Sequence, residues 1–173
     1  MLGLTPLGTI HTAISLMALA SGVLALVRHL EISPATGLGR VYVWSTALAC
    51  LTGFGIFQHG GFGQPHALGV VTLLVLGLAG LATRRRVFGD ASPYVATIGY
   101  SATLFFHMIP GLTETFTRLP LGAPLFSGPE DPALLKAVGA CFVLFVAGAI
   151  LQARRLFGLR SQASMPTGQG ARP

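Results

Sequence analysis

Charge is what this sequence has least of. Asp, Glu, Lys and Arg make up 9% of its 173 residues, against about 25% in soluble domains, and only five residues are acidic. That scarcity excludes an ordinary water-soluble domain. Cysteine is almost as rare. Cys50 and Cys141 both fall in apolar stretches, where a thiol behaves as a small apolar group and reports little about redox compartment. A Cys-x-x-Cys-His attachment signature is missing, so any haem bound here is non-covalent. A Gly-rich phosphate loop ending in Lys-Ser/Thr is missing as well, which removes nucleotide hydrolysis of that type. No Lys or Arg precedes Arg28. The first apolar stretch therefore lacks the basic start of a secretory signal, is long for one, and is expected to be a retained helix.

What remains is apolar: 52% of the residues are hydrophobic and the mean hydropathy is +0.71. Five stretches, Leu4–Leu30, Val41–Phe57, Ala67–Ala82, Tyr94–Leu112 and Ala133–Gln152, are long enough or nearly so to cross a hydrocarbon core about 30 Å thick. The arginines orient them. Arg28, Arg40, Arg84, Arg85, Arg86, Arg154, Arg155, Arg160 and Arg172 fall on one side of this succession, Arg118 and Lys136 on the other. Nine against two, in phase with the spans, is the positive-inside pattern. The expected fold is an all-α integral membrane bundle of five transmembrane helices, N-terminus outside and C-terminus inside, in a bacterial inner (cytoplasmic) membrane. The net charge of +6 then belongs to span ends that meet anionic lipid. With no basic domain outside the membrane, nucleic acid is not an expected partner.

Residues 1–156 form the expected transmembrane domain, and the polar, turn-prone residues 157–173 a disordered cytoplasmic tail. Gly60, Gly61, Gly63 and Pro65 make the connection between spans two and three a turn. Thr113 to Asp131 is the longest loop. Pro110-Gly111 is expected to kink or end the fourth helix, and Asp131-Pro132 to cap and open the fifth. Small residues stripe the helices: Ser15, Ala18, Gly22 and Ala25 on the first, Thr46, Ala49 and Gly53 on the second, Gly69, Gly77 and Gly80 on the third. Such stripes let a neighbouring helix approach closely. Tyr42, Trp44 and Tyr94 read as interfacial anchors at the inner span ends.

Five histidines stand out against so few polar residues. His11 and His107 fall within spans of opposite direction, both in the outer half by rise per residue, so they can face each other. His59 and His66 flank the outer Gly-rich turn, and His29 alone sits at the inner end. On the fourth helix Tyr100, Thr103, His107 and Glu114 share a face. Ionisable groups inside a span usually face the bundle interior. Three readings stay open. His11 and His107 are candidate axial ligands of a b-type haem. His59, His66 and Glu114, with His107 or Met108, are candidates for an outer metal or proton site. Alternatively, the imidazoles hydrogen-bond neighbouring helices. Glu114 and Lys136 are candidates for an outer ion pair.

The first helix with its His11 and Gly22, followed by the run Gly39-Arg40-Val41-Tyr42, resembles a bacterial family of small predicted membrane proteins classed as domain of unknown function 2306. In that family an early helix begins with histidine and a Gly-Arg-x-Tyr motif opens the second helix. Members often carry a histidine a few residues before Gly-Arg, where this chain has Thr36-Gly37-Leu38. The resemblance covers about the first four helices, and its layout is similar to membrane cytochromes of the b561 type. The function expected is a haem- or quinone-associated redox component, with the lipid bilayer and a membrane redox partner or a second copy as its surroundings. The alternative is a non-enzymatic membrane protein, a small-molecule or metal carrier or an assembly partner.

Overall fold

In the computed structural model, which describes residues 5–57 and 61–163, the chain is entirely helical, with no strand among the described residues. Its helices are α1 (Pro6–His29), α2 (Gly37–Gly53), α3 (Gln64–Arg85), α4 (Ser92–Phe116) and α5 (Pro132–Ala163), with a single 3-10 turn at Gly89–Ala91 before α4. α1, α3, α4 with its preceding turn, and α5 are long and apolar enough to cross a membrane. α2, with 17 residues, is shorter than the others, so of the five spans expected the structure supports four.

The helix ends follow from local chemistry. The Thr5 hydroxyl accepts from the Gly8 N–H at 3.1 Å and Pro6 supplies a preset first turn for α1. α1 stops where Leu30 turns left-handed, at φ 61°. The Thr36 hydroxyl caps α2 through the Gly39 N–H at 3.0 Å, which starts the helix four residues before the Val41 expected from hydropathy. Gly53 ends it, so the apolar residues up to Phe57 do not extend the span. At α3 the His66 Nδ1 accepts from the Gly63 N–H at 3.2 Å. Arg86, left-handed at φ 47°, closes α3 just after Arg84 and Arg85. The Asp131 carboxylate accepts from the Ala133 N–H at 2.8 Å, and Pro132 opens α5 as its sequence signature requires.

Two elements run further than expected. α4 passes through Pro110 and ends only at Phe116. A proline removes one intrahelical donor, but an irregular backbone in hydrocarbon would leave many more unsatisfied, so the helix persists; the Thr113 hydroxyl donates back to the Ile109 carbonyl at 2.8 Å just beyond it. The connection that follows folds on itself, with the Phe126 N–H donating to the Phe116 carbonyl at 3.1 Å and the two rings edge to face at 5.8 Å. α5 continues to Ala163, past the start of the expected tail. There Arg160 reaches Asp90 at 3.0 Å and stacks over the Tyr94 ring at 5.5 Å. Residues 164–173 lie outside the described residues.

α1 to α4 form the packed core, each against the next, with α1 closing onto α4; α5 lies outside against α4. The core cluster is Ala25, Ile32, Tyr42, Leu76, Ala79, Tyr100 and Leu104. Its tightest point is Gly22, where a Cβ would stand 2.8 Å from the Tyr42 ring and 2.9 Å from Leu104. Tyr42 is thereby fully buried and cannot be the interfacial anchor its position suggested; Trp44, 67% exposed, remains one in geometry. Of the small-residue stripes, those of α1 and α2 are packed, whereas a Cβ at Gly77 would meet nothing within 4 Å. α5 is tied to the core by Gln152, whose amide donates to the Leu30 carbonyl at 3.0 Å and accepts from the Ser101 hydroxyl at 3.0 Å.

Candidate functional site

The two candidate haem histidines are both held by threonines of α2. Thr52 already donates its hydroxyl hydrogen to the Leu48 carbonyl at 2.8 Å, with the Ala49 carbonyl at 3.1 Å. With that hydrogen on a carbonyl, the oxygen accepts from His11 Nδ1, 3.1 Å away, and Nε2 is then the acceptor beside the Ser15 hydroxyl at 3.5 Å. A partner on one ring nitrogen fixing the state of the other is the usual way a functional imidazole is oriented. Gly53 makes the approach feasible: a Cβ there would lie 3.2 Å from the His11 ring.

His107 is set deeper. Its Nε2 lies 3.1 Å from the fully buried Thr46 hydroxyl, and its ring meets Tyr42 edge to face at 6.3 Å. The Tyr42 hydroxyl is 2.7 Å from that of Thr103, whose own hydrogen goes to the Tyr100 carbonyl at 2.8 Å, so Tyr42 donates. Thr46 also lies within reach of the Tyr42 hydroxyl. The result is a connected polar strip along α2 and α4, enclosed in apolar packing.

The two imidazoles are bonded to threonines that stand six residues apart on α2, about 9 Å of helical rise. Glu114 lies seven residues beyond His107 on α4. It pairs with Arg118 at 2.6 Å rather than with Lys136, because α4 stays helical through Phe116 and brings the i and i+4 side chains together.

The candidate metal residues are dispersed. His66 is buried between Phe57 and Phe62, with ring centroids at 5.1 and 5.3 Å. Its Nδ1 accepts from Gly63, and its Nε2 has no hydrogen-bond partner among the described residues. None of these contacts brings it to Glu114, and His59 lies outside the described residues. No group of three metal-ligating side chains forms among the described residues. Both cysteines are free. His29 is exposed, its carbonyl accepting from Arg155 at 3.0 Å.

Thr46, Thr52, Tyr42 and Gln152 are the site and docking residues that a reading centred on histidine passes over. Their signal is nonetheless present, since each is a polar residue in an apolar helix, where hydrogen-bonding groups seek interior partners. Comparison of the chain with protein-family models, with curated proteins and with solved structures finds no match.

Proposed function

We propose that this chain is a five-span bacterial inner-membrane protein, N-terminus outside and C-terminus inside, acting as a quinone- or haem-associated redox component through His11 and His107. The observation that carries the reading is the pair of threonine-held imidazoles on α1 and α4, with His11 Nε2 facing the Ser15 hydroxyl at 3.5 Å. The nine-to-two distribution of basic residues supports the orientation and the reading of α2 as a fifth span. The likeness at His11, Gly22, Gly39, Arg40 and Tyr42 to the family described above supports the class.

The same geometry weighs between the two cofactors. A b-type haem held by both rings would need an open nitrogen on each and room for its macrocycle between them. His107 Nε2 is engaged by Thr46 and Tyr42 packs edge to face against its ring, which favours the smaller quinone head group. In that reading a quinol would give up two protons and two electrons: His11 would take one proton at Nε2, the second would leave to water at the outer surface, and both electrons would pass to a membrane redox partner, with His107 held in place by Thr46 as a positioning residue.

Purified protein should carry quinone extractable by organic solvent, and His11→Ala and His107→Ala should each deplete it at least several-fold while leaving the helical circular-dichroism signal intact. A Soret band that vanishes in the same variants would transfer the reading to haem. Wild-type protein that is colourless and quinone-free after expression with ample haem would overturn both.

A further inference from the structure

A second polar site lies at the other end of the bundle, where α1 leads into α2 and α3 into α4. It is a cavity of about 210 Å³. Its lining includes Glu31 from the first connection, Arg86 from the end of α3, and Thr97 and Tyr100 of α4, together with the apolar Ile32 and Leu156. Thr97 and Tyr100 are 8% and 2% exposed, yet neither side-chain hydroxyl has a hydrogen-bond partner among the described residues. Buried hydroxyls are normally satisfied, and those lining a cavity are open to whatever occupies it. Glu31 and Arg86 face the same space, and neither forms an ion pair among the described residues. Arg86 sits at the left-handed end of α3, at φ 47°, beyond the last helical residues Arg84 and Arg85.

One carboxylate and one guanidinium that share a cavity without meeting are complementary to a ligand bearing both signs of charge. We propose that this cavity binds a zwitterion in which a primary ammonium stands a few bonds from an anionic oxygen group, the chemistry of a phosphoethanolamine head group. Glu31 takes the ammonium. Arg86, a fork of donors suited to phosphate, takes the oxyanion, with the Tyr100 and Thr97 hydroxyls donating to its remaining oxygens. The level suits a membrane lipid, since the site opens at helix ends. Pro93 and Leu156 at its wall are followed in sequence by Tyr94 and Phe157, which line an apolar groove between α4 and α5 where an acyl chain could lie.

The full chain, purified in detergent, can be tested by native mass spectrometry with phosphatidylethanolamine, with phosphatidylglycerol, which lacks the amine, and with soluble phosphoethanolamine. Phosphatidylethanolamine should bind at least about tenfold better than phosphatidylglycerol, the worth of one charge-assisted hydrogen bond. Glu31→Gln should bring that ratio close to one, and Arg86→Gln should weaken both lipids. Tyr100→Phe, which keeps the packing, should lower affinity without changing the ratio. Binding of phosphoethanolamine as tight as the lipid would identify a soluble zwitterion as occupant; binding of the lipid alone would identify the membrane. Wild-type protein that binds no phosphoethanolamine and does not discriminate the two lipids would overturn the proposal, as would Glu31→Gln protein with unchanged selectivity.

Discussion

Gly22 and Gly39 show how much of the fold rests on side chains that are absent. At Gly22 a Cβ would press on the Tyr42 ring and Leu104, and at Gly39 it would collide with the backbone carbonyl of Ser33. Gly22→Ala should cost about 1–3 kcal/mol, the usual range for overpacking a filled interior, and lower the melting temperature; Gly39→Ala should cost at least as much, because backbone cannot rotate away. Gly77→Ala, with nothing in its way, should leave the melting temperature unchanged or raise it, and a drop there as large as at Gly22 would contradict the packing described. Gly22 of the first helix, and Gly39 and Tyr42 of the Gly-Arg-x-Tyr run, thus have a packing reason. Asp131 is the residue whose charge reports outside the spans. Hydrogen bonds from the Ser127 N–H, the Ala133 N–H and the Ser127 hydroxyl hold its carboxyl below the ordinary aspartate range. A lowered folded value stabilises above the unfolded value and loses that contribution as pH falls through the folded one. The gap in melting temperature between wild type and Asp131→Ala should therefore be widest at neutral pH and narrow in acid.

Among the elements, hydropathy located every helix but not every boundary. Asp131-Pro132 announced the start of α5 because its capping chemistry is local. α2 was displaced toward its N-terminus, since Gly37 to Arg40 look like a connection until the Thr36 cap and the close fit of Gly39 on Ser33 are known. Pro110 looked like a stop because the propensity rule is written for water, whereas hydrocarbon penalises an unpaired backbone more than one missing donor. The site was legible only in part. His11 and His107 stand out by type, but their threonine partners lie 41 and 61 residues away in sequence, and no local pattern encodes such pairings. Gln152 is a further case: one amide joins α5 to α1 and α4. Gln152→Leu keeps the size but strands the Ser101 hydroxyl and the Leu30 carbonyl, at about 1–3 kcal/mol for a buried group left unsatisfied. Protease cleavage between α4 and α5 should then release α5 from the detergent-solubilised bundle more readily than from wild type. Equal retention would mean that apolar contact with α4 alone holds α5.

For the whole molecule, two pairs of reporters read the topology. With α2 as a span, a reporter fused after Ser33, between α1 and α2, lies inside and one fused after Gly61 outside; identical compartments for that pair would mean that α2 does not cross. Three helices separate Gly61 from Pro173, so a reporter after Pro173 lies inside, opposite to Gly61, and identical compartments there would mean that one of α3 to α5 does not cross. The positive-inside count predicts opposite compartments.

The unequal helices bear on the bilayer itself. At 1.5 Å per residue, α2 is about 26 Å long and α5 about 48 Å, so one flank of the protein is shorter than a hydrocarbon core about 30 Å thick and the other far longer. Such hydrophobic mismatch is relieved by thinning lipid around the short flank and tilting the long one. With α2 as the proposed fifth span, the protein meets its membrane asymmetrically, drawing the two leaflets together beside the helix whose threonines hold His11 and His107.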